Sequence, residues 1–286
     1  MKCDCHIHIF MDGQNYQKAR GRHQSKVDDS CIREHLQEYQ KRGITWLRDG
    51  GDFLGVSLRT CQLAPEYNIT YRTPVFAIHK KGHYGSIVGK AFTDLKEYAA
   101  LVKEVRRLGG NFIKIMTTGI MDFGNAGTIT GERLPYCEVK EMVHIAHEEG
   151  FSVMSHTNGA DAVREAALAG VDSLEHGNFQ NDDSLQALRD SRTVWVPTLV
   201  TVRNLSGKER FPDEEIDKIR KTQEYAVKKA YEYGIPMASG TDAGAWMVFH
   251  GESLEQEYQG FASILGSRER AEICLEQGNA RIRIRF

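Results

Sequence analysis

The chain has 286 residues, and 37 basic against 39 acidic side chains give a formal net charge of −2. No long run of one sign occurs, which argues against a nucleic-acid or membrane-surface partner and leaves a small molecule as the expected one. Six cysteines are too sparse for a disulfide scaffold, no apolar stretch reaches the ~20 residues that cross a bilayer, and Met1-Lys2-Cys3-Asp4-Cys5-His6 lacks a signal-peptide core, so a cytoplasmic location with reduced thiols is expected.

Short apolar runs alternate with longer amphipathic stretches along the chain. The runs predict strands at about Lys2–His8, Ile44–Asp49, Tyr71–Ile78, Phe112–Met116, Phe151–His156, Val171–His176, Thr193–Leu199 and Met237–Asp242. Between them the clearest predicted helices are Cys31–Arg42, Asp94–Leu108, Glu138–Glu149, Ala160–Ala169 and Glu214–Tyr233. Asp28-Asp29-Ser30 offers an N-cap to the first of these, and Gly43, Gly109, Gly150, Gly170 and Gly234 are placed as helix C-termini often are. Strand–helix alternation calls for a parallel sheet, and about eight units suggest an α/β protein of the closed (β/α)8 TIM-type barrel class. An open doubly wound sheet would bring fewer strands.

Helix-to-strand links are short, whereas the strand-to-helix links Ile9–Asp29, His79–Thr93, Thr117–Tyr136, Thr201–Asp213 and Ala243–Glu252 are long and rich in glycine and polar residues. In a barrel all such loops emerge on the face that carries the active site. The residues at the strand ends point to the same face. Alternation puts His6 and His8 on one side of the first strand, ~7 Å apart and able to chelate one ion, with Cys3, Cys5 and Ile7 on the other side, beneath helices. Lys114 interrupts the apolar run Phe112-Ile113-Lys114-Ile115-Met116, where a buried ammonium is expensive. It is either a satisfied ion pair or a lysine with a lowered pKa, able to react with CO₂ and become an anionic carbamate that bridges two divalent metals. His156, His176 and Asp242 end the fifth, sixth and eighth predicted strands. Arg48-Asp49, ending the second, reads as an internal ion pair supporting the barrel top.

The order His-x-His, Lys, His, His, Asp over eight βα units resembles the amidohydrolase superfamily, in its binuclear, carboxylated-lysine subtype. The segments Trp46-Leu47-Arg48-Asp49-Gly50-Gly51, Phe112-Ile113-Lys114-Ile115-Met116-Thr117-Thr118-Gly119 and Ser155-His156-Thr157-Asn158-Gly159 further resemble the prolidase (Xaa-Pro dipeptidase)-like and imidazolonepropionase-related branch, and the similarity covers nearly the whole chain. The resemblance implies two divalent cations, with zinc the default on availability. His6, His8 and Asp242 would bind the more buried cation and His156 and His176 the more exposed one, with Lys114, carboxylated by CO₂, and a hydroxide bridging them. It implies that Asp242 takes the proton of the attacking hydroxide and hands it to the leaving group, and that the bond cleaved is an amide of a dipeptide, an N-acyl amino acid or a cyclic amide.

Typical members add a small β-sandwich built before His-x-His and after the barrel. Here His6 comes almost at once, so residues 1–286 are expected to form one barrel domain without the sandwich. Because the sandwich often supplies subunit contacts in the family, the homo-oligomeric state stays open. The tail Arg281–Phe286 reads as a leftover edge strand or a disordered end. His83, in a Gly-His pair like that of prolidase-like members, Tyr84 and Arg203 are candidate substrate contacts. A lactonase or phosphotriesterase would use the same centre. A mononuclear deaminase would need neither Lys114 nor a second cation, and in a non-catalytic barrel the clustered polar groups would cost stability.

Overall fold

The computed structural model describes residues 1–286. Nine strands form: β1 (Lys2–Ile7), β2 (Ile44–Asp49), β3 (Thr70–Arg72), β4 (Ala77–Lys80), β5 (Gly89–Phe92), β6 (Ile113–Met116), β7 (Val153–Thr157), β8 (Ser173–His176) and β9 (Val194–Val196). Every ladder between them is parallel, in the orders β1-β2-β3 and β5-β4-β6-β7-β8-β9. The predicted eighth strand closes the ring between β9 and β1: Ala238 N donates to Trp195 O at 2.9 Å, Cys5 N to Ser239 O at 2.9 Å, and Asp242 N to His6 O at 2.7 Å. Strands such as β6 and β7 are buried along their whole length, as expected where side chains on one face fill a barrel and those on the other meet helices. The fold is the (β/α)8 barrel, and every strand of these residues apart from the short β5 is one of its staves.

The predicted third strand is divided. Thr70–Arg72 pairs with β2 and Ala77–Lys80 with β6, while the chain between them turns at Pro74, which has no N–H for a ladder, and at Val75, held at φ 69°. This stave is therefore one run of chain shared by both sheets. The short β5 pairs alongside β4, outside the predicted set of strands.

The helices are α1 (Tyr16–Arg22), α2 (Asp29–Lys41), α3 (Val56–Leu63), α4 (Leu95–Arg107), α5 (Tyr136–Glu148), α6 (Ala160–Ala169), α7 (Asp182–Asp190), α8 (Val200–Arg203), α9 (Asp213–Glu232), α10 (Glu252–Leu265) and α11 (Arg268–Arg285). Asp28 caps α2 by accepting from Ser30 N and Cys31 N, and α6 stops at Gly170 in the left-handed conformation that glycine adopts without strain. The main core joins the outer faces of the strands to the helices, from Ile7 to Leu275. No helix is long and apolar enough to cross a membrane.

Two expectations change at the opposite end of the barrel from the long loops. The tail is neither a strand nor disordered: it is the last turn of α11. Its Ile282 and Phe286 pack with Trp46, Phe112, Met154, Val194, Val196 and Ala238, and the Arg285 carbonyl accepts from Ser152 Oγ at 2.9 Å. Cys3 and Cys5 belong to this same cluster, not to the layer under the outer helices. The reason is a register slip of β1 against β2 between Asp4 and Ile7, which breaks the alternation that the sequence suggests.

Candidate active site

His6 and His8 come from the end of β1, Lys114 from β6, His156 from β7, His176 from β8, and Asp242 from the segment that closes the ring. All six line one cavity of about 740 Å³ at the loop end of the barrel. Glycines let these side chains approach backbone: a methyl group at Gly50 would collide with the His8 ring. His176 and Asp242 sit at φ 64° and 62°, a left-handed backbone uncommon outside glycine, so the chain stores strain where these two side chains turn over the barrel mouth.

The donors of His6, His8 and Asp242 all lie within 4.8 Å of one another. Asp242 Oδ1 is 3.4 Å from His6 Nε2 and 3.3 Å from His8 Nε2. The His6 tautomer follows from its other side, where Nδ1 is 3.0 Å from Glu175 Oε2. That contact is close but bent from ideal alignment; a carboxylate can only accept, so the proton sits on Nδ1 and the Nε2 lone pair faces Asp242. Burial lowers the His6 imidazole to about 4 and His176 to about 3, and pushes His156 well down, so all three are neutral near pH 7. Burial alone would raise the Asp242 carboxyl, but the imidazolium forms of His6, His8 and His176 outweigh it. The group therefore lies well below the usual carboxylate range and is ionised near pH 7, where His6 and His176 are themselves neutral. The His6 lone pair and the Asp242 carboxylate thus face each other with His8 Nε2 beside them, and His6 Nε2 and Asp242 Oδ1 lack hydrogen-bond partners. Such an arrangement is repulsive unless a cation sits among them, and imidazole plus carboxylate is a donor set of divalent transition metals.

Lys114 supplies the second orphan. Its Nζ is buried without a partner, and burial lowers the ammonium to about 8, the charge of Arg48 adding to the effect while Glu175 and Asp242 oppose it. The ion-pair alternative therefore has no partner in direct contact, and an amine with that pKa keeps a neutral, CO₂-reactive fraction. His156 and His176 stand ring to ring at 4.7 Å, with His6 5.1 Å from His176. His156 Nε2 is 3.0 Å from the Gly119 carbonyl, which fixes its proton there and leaves Nδ1 as the free lone pair. His176 Nδ1 meets Thr198 Oγ1 at 2.8 Å, leaving Nε2 free. The six residues thus fit a metal-binding role, most tightly at His6, His8 and Asp242.

A buried ion pair holds this cluster from below. Arg48 Nη2 donates to Glu175 Oε1 at 2.9 Å, Nη1 to Ser173 Oγ at 2.7 Å and Nε to the Cys5 carbonyl at 2.7 Å. Burial would raise the Glu175 carboxyl, but Arg48 and His6 together hold it at about 2. Glu175→Gln removes the charge facing a fully buried guanidinium and is expected to cost about 3–5 kcal/mol of folding stability. Urea unfolding followed by circular dichroism reads this as a lower midpoint at unchanged slope.

A model described as the amidohydrolase family matches residues 3–267. The chain belongs to this family. An uncharacterized protein of Mycobacterium tuberculosis and one of Mycobacterium bovis are each 27% identical to it over 170 residues, 57% of this chain and 45% of the relative, so the chain spans less than half the length of those relatives. Among solved structures, a Xaa-Pro dipeptidase with methionine bound in its active site superposes at TM-score 0.75 with 24% identity, over 99% of this chain and 75% of that one. The ochratoxinase of A. niger superposes at TM-score 0.77 with 16% identity, over 98% and 70%. At these identities the likeness speaks to the fold.

Within this member of the family the candidate substrate contacts separate. Tyr84 lines the cavity with its ring 5.1 Å from that of His156, and burial keeps its hydroxyl protonated. His83 does not line the cavity; its Nδ1 meets the Glu132 carbonyl at 3.0 Å. Arg203 is also outside it, paired with Glu224 at 3.0 Å, because the short helix α8 turns its side chain toward α9. Asn158 and Asn178 were not singled out from the sequence, yet both line the cavity. They form a relay in which Gln223 Nε2 donates to Asn178 Oδ1 and Asn178 Nδ2 to Asn158 Oδ1, each at 2.9 Å. Their only sequence signal is position, two residues after a strand-end histidine.

Proposed function

We propose that this protein is a metal-dependent hydrolase of amide bonds in a small molecule, and that residues 1–286 act as one barrel domain. The observation that carries the reading is the convergence of unpartnered lone pairs and the orphaned Lys114 amine within one cavity. His6, His8 and Asp242 would hold one divalent cation and His156 and His176 a second, with carboxylated Lys114 shared between them; zinc is the default metal. When bound, such cations polarise a carbonyl and lower the pKa of water.

The chain's own groups do the rest. Asp242, ionised near pH 7, accepts the proton of the attacking water on its carboxylate and returns it to the departing nitrogen, since an amine is a poor leaving group until protonated. The Tyr84 hydroxyl, protonated and half-buried in the cavity wall, donates to the substrate. The Gln223–Asn178–Asn158 relay fixes the wall beside His156. The test is a side-by-side screen of N-acyl amino acids, dipeptides, lactones and phosphotriesters, with zinc-loaded and chelator-treated protein. Amide cleavage lost on chelation is the expected result; turnover of lactones or phosphotriesters alone would move the assignment to those bonds.

A further inference from the structure

Above the six clustered residues the cavity is bounded by side chains from three loops. Phe123 comes from the loop before α5, Arg210 and Phe211 from the loop before α9, and Trp246 from the loop before α10. The Phe123 and Phe211 rings are 5.2 Å apart and tilted by 34°, and Phe211 meets Trp246 edge-on at 6.4 Å. These rings rest on a separate apolar cluster of Met121, Val202, Leu205, Ile216 and Ile219, so α9 props up the loops that carry them. The Arg210 guanidinium lies 4.6 Å from the Trp246 ring centre and 5.4 Å from that of Phe211. It forms none of the ion pairs that occupy its neighbours Arg203 and Lys218.

A guanidinium stacked on aromatic faces has its plane fixed while its N–H edge stays free, the geometry that takes a carboxylate in bidentate fashion. The cavity's own acidic side chains leave this role open. Asp242 lies among the histidines, and Asp122 Oδ1 accepts from Gly124 N at 2.8 Å. We propose that Arg210, Phe211 and Trp246 are the specificity-determining roof of the site, selecting an amide that carries a free carboxylate and, beside it, a bulky apolar or aromatic group. The carboxylate meets the edge of Arg210 and the apolar group packs under Phe123, Phe211 and Trp246. In naming an amide the inference rests on the proposed function; in naming the carboxylate and the apolar group it rests on the roof alone.

Binding separates the two. Trp246 is the tryptophan at the cavity, Trp46 and Trp195 being buried in the core, so its fluorescence reports ligand at the roof. The probes are N-benzoylglycine and its neutral carboxamide, titrated into the 286-residue chain, with the Trp246→Phe variant identifying the signal. The acid should bind about 10- to 100-fold more tightly than the carboxamide, as a charge-assisted pair requires. Arg210→Gln should erase that preference, Arg210→Lys should recover part of it, and melting temperature should not change because Arg210 is exposed. Equal binding of acid and carboxamide by the unaltered protein, or a preference that survives in Arg210→Gln, would overturn the proposal even if amides are cleaved. A preference that depends on Arg210 upholds the roof even if no amide is cleaved, in which case it is the hydrolase reading that fails.

Discussion

Asp242→Asn is expected to leave the protein folded and to reduce turnover by about 10²–10⁴-fold, the usual contribution of a positioned general base. The substitution is nearly isosteric and keeps an oxygen acceptor facing His6 and His8. It also keeps the backbone: Asp242 stands at φ 62°, and asparagine is the non-glycine residue that tolerates this region best. The bonds from Asp242 N to His6 O at 2.7 Å and from Ala245 N to Asp242 O at 3.0 Å are unaffected by the side chain. What disappears is the ability to take a proton. A melting temperature near that of the parent, together with collapsed kcat on the best amide from the screen, is the expected pair of results. Turnover within about 10-fold of the parent would place the base on another residue, because an amide side chain cannot serve as one. Asp242→Ala is the contrasting variant: it also removes the oxygen that converges with the histidines, so it should lose metal as well as turnover.

The strand ends were legible because each buried strand is an apolar run that stops at a polar residue, and because the long loops all follow strands. Those two features, together with Lys114 as the one charge interrupting an apolar run, place His6, His8, Lys114, His156, His176 and Asp242 around one cavity without any knowledge of the barrel's closure. The supporting ion pair was not legible. Arg48 was expected to pair with Asp49, but adjacent strand residues point to opposite faces. Arg48 instead crosses the barrel to Glu175, 127 residues later, while Asp49 accepts from Ile9 N at 2.8 Å and Gly51 N at 2.6 Å. Partners so distant leave no local pattern. The same limit applies to His83 and Tyr84, neighbours in a loop with no periodicity to say which one faces inward. In α11 the sequence Arg281-Ile282-Arg283-Ile284-Arg285 alternates like a strand, yet it continues a helix. Tertiary packing of Ile282 and Phe286 against the barrel floor overrides the local signal.

Replacing Lys114 separates the ways this site can be built. The ammonium is buried, unpartnered and lowered to about 8, so as a plain lysine it contributes little to stability and repels any cation held by His6, His8 and Asp242. As a carbamate the same side chain carries the opposite charge and supplies two oxygens. Lys114→Ala is therefore expected to drop bound metal from about two per chain to one or fewer and to abolish turnover, and a short-chain carboxylate such as propionate should restore part of both by filling the vacated space. Elemental analysis of protein grown with zinc and bicarbonate reads the first effect and the amide assay the second. The donors of His6, His8 and Asp242 form a tight group within 4.8 Å of one another, and beside it the His156 and His176 rings stand 4.7 Å apart. If the parent chain binds one metal and Lys114→Ala binds it equally well, that tight group is the whole centre and the two-cation reading falls. If Lys114→Ala loses metal and propionate restores it, the lysine acts through a carboxylate, which is the chemistry its burial favours.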